Sequence, residues 1–386
     1  TTACDATTRV VGSSMAGVAG SSEGTDGKPG QVAVAWLWIC VPFGSGETTS
    51  AVSRMSMNPS AGLRSPTSQA AWLASTVPPT ATSFPPTATP TLPPPTAPAG
   101  ISPDASAYLD EALDIMQEHA LHREQIDWQS LRTVTHLMAG DARTTADTYK
   151  AIRFALTRLG DHHSHFMTPA EVAQFEDGTM NLASPDPRGE LLEEGLGYLF
   201  LPGFSGMGEA AKEQATRIQQ IVADVDSQAP CGWIVDLREN IGGSMWPMLA
   251  GIGPVLGKGQ VGAFVSPDGQ QVDWTYASGQ AMAGDALETE VNGPAYELAE
   301  PSPPVAVLTG PRTASSGEAI AVAFRGRPGT RSFGESTAGL STGNERFALS
   351  DGAWILLTVS RFADRTGQVY GERIAPDQVV RPQGTG

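Results

Sequence analysis

The chain has 386 residues, 40% of them apolar, enough for a packed core and for two or three domains of ordinary size. Its formal charge of −17 falls entirely on residues 101–386, because Asp5, Glu23, Asp26 and Glu47 are cancelled by Arg9, Lys28, Arg54 and Arg64 in the preceding segment. An acidic body with few lysines is a poor match for phosphate backbones or anionic lipid headgroups, which excludes nucleic acid as a partner.

In chain order, residues 1–75 come first, a region of low charge with scattered Gly and Ser. It is expected to be disordered or to carry an export signal or anchor. Its one apolar run, Val32–Phe43, falls well short of the roughly 20 residues a bilayer span needs but has the length of a signal-peptide h-region. Leu37-Trp38-Ile39-Cys40 is similar to a lipoprotein cleavage site, although Ile39 is bulky for the position before the cysteine. Residues 76–100 are nearly all Pro, Thr and Ala without charge, so they are expected to form an extended, polyproline-like linker. Stalks of this composition hold a domain away from a surface and point to an extracellular or envelope-anchored protein; an ordinary interdomain linker is the other reading. Cys4, Cys40 and Cys231 are far apart and odd in number, which argues against a disulfide framework and a zinc–thiolate site. Cys231 is most simply a small buried residue.

Residues 101–175 read as a small helical subdomain. Ser106–His119 sets Leu109, Leu113, Ile115 and Met116 at helical spacing, and Trp128–Met138 and Thr145–Leu159 continue it, with Asp141 and Thr144 or Thr145 as caps. The subdomain ends at Gly160-Asp161-His162-His163-Ser164-His165. Residues 190–386 bring strands: Gly197–Leu201, a helix over Ala210–Val225, the buried strand Trp233–Leu237, the turn Asn240–Gly243 and a helix over Met245–Val255. Val305–Leu308 is another buried strand and leads into a helix over Ser316–Phe324. Arg346–Ser350 and Ala353–Val359 flank the hairpin signal Asp351-Gly352. Strand–helix alternation of this kind predicts an α/β domain with a mostly parallel sheet.

Chemistry enters where Thr309–Phe324 passes from strand to helix through a Gly-Pro turn, with Ser315 and Ser316 opening the helix. A serine there has backbone N–H groups without intrahelical partners close by, and the positive end of the helix dipole. Both suit a nucleophile whose attack creates an oxyanion. Ser315-x-x-Glu318 is also a capping box, which needs no catalysis. In Asp236–Gly243 a glycine pair lets the main chain approach a ligand, so Gly242 and Gly243 with the Ser316 amide would form an oxyanion hole; by itself the segment is a tight βα turn. All six histidines lie between His119 and His165, and none of the four lysines follows Ser315. A Ser–His mechanism therefore has to fold the His162–His165 loop over that serine. Clustered histidines otherwise bind metal or sit at the surface. Without an H-E-x-x-H spacing, no metal and no cofactor is expected.

Five strings occur in order: Leu159-Gly160-Asp161-His162-His163-Ser164; Trp233–Gly243 (WIVDLRENIGG); Thr313-Ala314-Ser315-Ser316-Gly317-Glu318; Gly334-Glu335-Ser336-Thr337-Ala338-Gly339; and Gly371-Glu372-Arg373-Ile374-Ala375-Pro376-Asp377. Together they resemble the S41 peptidase family over Ser102–Val380. That family includes the tail-specific C-terminal processing proteases, the tricorn protease core and the interphotoreceptor retinoid-binding protein. The resemblance implies a ClpP/crotonase-like core and a serine-type peptidase acting on peptide or unfolded protein. It sets the nucleophile at Ser315 rather than Ser316. The processing branch pairs that serine with a lysine where this chain has Leu340, so a Ser–Lys dyad is not expected. The tricorn-like pattern implies His163 as base, Glu372 orienting it and Ser164 as a relay. Processing proteases also carry a PDZ domain for capturing a C-terminus by strand addition, and the stretch from His165 to Gly197 leaves no room for one. The alternative is a non-catalytic module carrying an apolar ligand on the same fold, against which stand the retained Ser315, His163 and Glu372. Acyl-CoA chemistry on the crotonase scaffold is weaker, since no basic patch is present for a CoA phosphate. Nothing in the sequence sets an oligomeric state.

Overall fold

Helix formation begins at Ser102, whose hydroxyl oxygen accepts from the Ala105 amide at 3.3 Å, ahead of a proline at the first helical position. The computed structural model describes residues 100–176 and 184–381, so the expectations for residues 1–75 and for the linker up to residue 99 lie outside the described residues. Three helices come first: α1 (Pro103–His119), α2 (Trp128–Ala139) and α3 (Thr145–Thr157). Thr144 and Asp147 cap α3 reciprocally. Strand β1 (His165–Met167) and helix α4 (Pro169–Glu176) follow. The apolar stripe of α1 and α3 (Leu109, Leu113, Ile152, Leu156) shares one core with Phe166 of β1 and with Leu349, Ile355 and Leu357 farther along the chain. Asp351 ties the two parts together, accepting from Tyr108 Oη at 2.7 Å and Tyr149 Oη at 2.6 Å. The helical segment thus packs on one face of an antiparallel sheet, at the strand carrying Ile355 and Leu357, and this carries the His162–His165 loop to the rest of the chain.

The next elements are β2 (Arg188–Leu191), β3 (Leu196–Phe200), α5 (Gly208–Asp226), β4 (Gly232–Asp236) and α6 (Met245–Leu256). Four strands then run as a meander: β5 (Gly259–Val265), β6 (Gln271–Ala277), β7 (Gln280–Ala283) and β8 (Ala286–Glu290). The chain closes with β9 (Val305–Thr309), α7 (Ser316–Phe324), β10 (Thr330–Gly334), β11 (Thr342–Ala348), β12 (Trp354–Asp364) and β13 (Gln378–Val379). One sheet has the order β13-β10-β9-β4-β3-β2 and is parallel except at β2. The other has the order β1-β12-β5-β6-β7-β8, with β11 also paired to β12, and is antiparallel throughout. The main core gathers Leu199, Val235 and Val307 of the parallel sheet, Trp274 and Phe362 of the antiparallel sheet, and the buried faces of α5, α6 and α7. Every residue of α7 is buried.

The fold is mixed α/β, and the expectation of a mostly parallel sheet is corrected: it describes one sheet of two. Strand–helix alternation marks the right-handed crossovers that parallel pairing requires, and β3, β4, β9 and β10 carry that signature. Residues 259–290 instead reverse direction through positive-φ glycines at Gly269, Gly279 and Gly284. Their strands are part-exposed, so no buried apolar run announces them. The Asp351-Gly352 hairpin is present, joining β11 to a β12 that runs well past Val359 to reach β5.

Candidate active site

Strand β9 is buried along its whole length and delivers the chain into a turn locked by Thr313, which accepts from the Gly310 amide (3.0 Å) and donates to the Leu237 carbonyl (2.8 Å). Ser315 follows at φ 52, ψ −118. An L-residue at positive φ stores on the order of 1–3 kcal/mol and persists only where neighbours hold it. Here Glu318 does so. Its carboxylate accepts from the Ser315 amide at 3.0 Å, as the capping reading requires, and also from the Gly339 amide (3.0 Å), the Leu340 amide (2.7 Å) and the Thr337 hydroxyl. Burial pushes the Glu318 carboxyl upward, while these four donors pull it back. The side chain is fully buried and ties the Gly334–Gly339 string to the Ser315 turn.

The His162–His165 loop meets that turn. Ser315 Oγ lies 3.0 Å from His163 Nε2, and His163 Nδ1 lies 2.8 Å from Thr342 Oγ1. Asp161 holds the loop by accepting from the His163 and Ser164 amides at 2.8 and 2.7 Å, and His162 adopts φ 57 to make the turn. His163 O accepts from Asn344 Nδ2 at 3.0 Å. Burial drives the His163 imidazole down to about 4, with His165 adding to the effect and Asp161 opposing it. The ring is therefore neutral at pH 7, with a lone pair free to take a proton.

Beside Ser315 runs the Asn240–Gly243 turn. The Ala314 amide donates to Asn240 O at 3.0 Å, and Ser316 Oγ donates to Gly243 O at 2.5 Å. Gly242 and Gly243 sit at φ +109 and +111, and a Cβ on Gly242 would lie 2.8 Å from the Ser315 Cβ, so only glycine permits this approach. The Gly242 amide is occupied by Asn240 Oδ1 at 3.1 Å. The amides of Gly243 and Ser316 have no acceptor among the described residues.

Two expected participants stand elsewhere. Ser164 Oγ donates to Asp161 Oδ2 (2.7 Å) and accepts from the Thr358 amide (2.9 Å), so it braces the loop rather than linking His163 to a carboxylate. Glu372 accepts from Ser341 Oγ through its main-chain carbonyl at 2.6 Å; its side chain is exposed and the carboxylate has no partner among the described residues. The group behind the imidazole is the Thr342 hydroxyl, only 4% exposed. Sequence reasoning missed Thr342, because a threonine in a strand carries no mark of the side chain it faces. It also missed the fourfold role of Glu318, which a capping box only half describes, and Asn240, whose fully buried amide organises the glycine turn.

Residues 195–380 match the profile described as peptidase family S41. The nisin-resistance protein of Lactococcus lactis subsp. lactis is 27% identical over 278 residues, covering 72% of this chain and 84% of that protein. A carboxyl-terminal-processing protease of a Synechocystis species is 29% identical over 216 residues, covering 54% of this chain and 45% of that protein, so the chain spans less than half of that relative's length. Among solved structures, a lipoprotein from Streptococcus agalactiae superposes with a TM-score of 0.60 at 24% identity, over 72% of this chain and 93% of that one. The photosystem II D1 C-terminal processing protease superposes with a TM-score of 0.51 at 17% identity, over 73% of this chain and 94% of that one. At these identities the two structures speak to the fold.

Proposed function

Because this chain belongs to peptidase family S41 and is a serine-type peptidase, we propose that it hydrolyses peptide bonds with Ser315 as nucleophile and His163 as general base. The observation that carries this reading is the 3.0 Å contact between Ser315 Oγ and a histidine held neutral by burial. Ser315 Oγ attacks the scissile carbonyl carbon while its proton passes to His163 Nε2. The oxyanion is received by the free amides of Gly243 and Ser316 at the start of α7, where the helix dipole adds to the attraction. Gly242 shapes this turn and leaves its own amide on Asn240. Collapse of the tetrahedral intermediate expels the amine, which takes the proton from His163 and leaves an acyl ester on Ser315. A water deprotonated by His163 then attacks the ester, and the acid product leaves with Ser315 reprotonated.

In this arrangement Thr342 takes the orienting place expected of Glu372. With Nε2 accepting from Ser315, Nδ1 carries the proton and donates to Thr342 Oγ1, which selects the reactive tautomer without a buried carboxylate. A hydroxyl orients the ring but stabilises the imidazolium less than a carboxylate would. The superpositions support reading the two-sheet body as a ClpP/crotonase-like core. Between β1 and β3 the described residues form only α4 and β2, which supports a chain without a PDZ domain. Peptide or unfolded protein is the substrate class, and the similarity to a nisin-resistance protein and a lipoprotein supports a place at the cell envelope.

The test is covalent labelling with a fluorophosphonate. The parent chain is expected to take up label, and Ser315→Ala and His163→Ala are expected to lose it. A folded parent without Ser315-dependent label would leave the apolar-ligand module as the better account.

A further inference from the structure

A cavity of about 750 Å3 adjoins the His163–Thr342 pair, with Leu121, His162, Thr342, Arg361, Glu372 and Arg373 among its walls. Its size is that of a small-molecule or peptide side-chain pocket. Arg361 of β12 stands directly opposite Thr342 of β11, and opposite residues of an antiparallel pair project to the same face. The Arg361 side chain is half-buried, and among the described residues its guanidinium has no acceptor. A partly desolvated cation without a partner is costly unless something else supplies the anion.

Two glycines of the sequence strings seat the arginine stems. A Cβ on Gly371 would lie 2.9 Å from Arg361 Cδ, and one on Gly339 would lie 3.0 Å from Arg373 Cγ. Arg373 is steadied by donating from Nη1 to the Thr337 carbonyl at 2.8 Å. Of the two carboxylates at the walls, Asp161 is already spent on the His163 and Ser164 amides and the Ser164 hydroxyl, while Glu372 is exposed at the rim. The pocket therefore offers a planar, unspent guanidinium inside a chain of net charge −17.

We propose that this cavity binds a carboxylate of the substrate chain, held by Arg361 with Arg373 beside it. Guanidinium and carboxylate match as a two-point hydrogen-bonded pair, and peptides present that group at the C-terminus or on Asp and Glu side chains. The assignment rests on the peptidase reading for its substrate class and adds what the enzyme selects.

The test uses the full chain carrying Ser315→Ala, so that binding is measured without turnover. It is dialysed against an equimolar mixture of four random hexapeptide pools: free acid or C-terminal amide, each with or without one interior Glu. Bound peptides are quantified by mass spectrometry. Carboxylate-bearing pools are expected to be enriched over the neutral amide pool by roughly tenfold to a hundredfold, the range of a charge-assisted hydrogen bond. Enrichment of both acid pools whether or not Glu is present assigns the C-terminus; enrichment that follows Glu assigns the side chain. Arg361→Met, which keeps the stem against Gly371, is expected to abolish the preference, and Arg361→Lys to retain part of it. Equal binding of all pools, no binding of any, or a preference untouched in Arg361→Met would overturn the assignment. Fluorophosphonate labelling of the parent reports separately: lost label with retained enrichment sinks the hydrolase reading alone.

Discussion

Acidification separates a base buried behind Thr342 from an ordinary histidine. Burial drives His163 down to about 4. At pH 5.5 a histidine at its usual value near 6.5 is only about one tenth neutral, whereas one at about 4 is still more than about nine-tenths neutral, so the two cases differ roughly tenfold in active base. A small uncharged fluorophosphonate reads this directly, because its reaction with Ser315 needs only the neutral imidazole. The second-order labelling rate is expected to stay within about twofold between pH 7.5 and 5.5 and to fall through a midpoint near 4. A tenfold loss by pH 5.5 with a midpoint near 6.5 would refute both the burial argument and the place of His163 behind the serine. The same shift has a consequence for stability. Between the two values the unfolded chain binds the proton and the folded chain does not. The contribution of His163 is therefore fully present above about pH 6.5 and lost as pH falls toward about 4. Its full size is on the order of 3 kcal/mol.

Thr342→Val removes the acceptor for His163 Nδ1 at nearly constant shape; the labelling rate is expected to fall roughly tenfold to a hundredfold, and Thr342→Ser to recover most of it. Gly243→Ala would bring a Cβ to 2.1 Å from the Phe204 carbonyl oxygen, so denaturant titration should show a loss of about 1–3 kcal/mol together with loss of label. Glu318→Ala strands the Ser315, Gly339 and Leu340 amides and the Thr337 hydroxyl, and is expected to cost more than about 3 kcal/mol in the same titration. Asp351→Ala leaves the hydroxyls of Tyr108 and Tyr149 without their acceptor and should cost about 2 kcal/mol, while the folded fraction labels at the parent rate.

Much of the fold was legible because its signals are local. The Thr144 cap of α3, the buried runs of β3, β4 and β9 and the small-residue helix α7 each stand out within a dozen positions of sequence, and their observed bounds shift only slightly from those expected. The meander β5–β8 was not legible. Asp268-Gly269 and Gly284-Asp285 stand at its turns, but its strands are part-exposed, so no buried run flanks those dipeptides to mark strands on either side. The site divides the same way. Ser315, Gly242 and Gly243 lie at strand-to-helix turns whose geometry follows from their neighbours. Ser164 and Glu372 were expected to line up with His163 by resemblance, yet the Ser164 hydroxyl is taken by Asp161 and the Glu372 carboxylate is exposed, which no string of residues displays.

What the sequence determined by itself is the local chemistry: a serine opening a buried helix, a glycine pair at a strand end, and no lysine able to serve as base. Only the tertiary structure decided which side chains face one another, because contacts between the helical segment and strands nearly two hundred residues away depend on how two sheets pack around α7. That packing turns His163 toward Ser315 on one side and Thr342 on the other. It also sets Arg361 at the wall of a cavity where its guanidinium has no acceptor among the described residues, a consequence of strand register that appears in no motif.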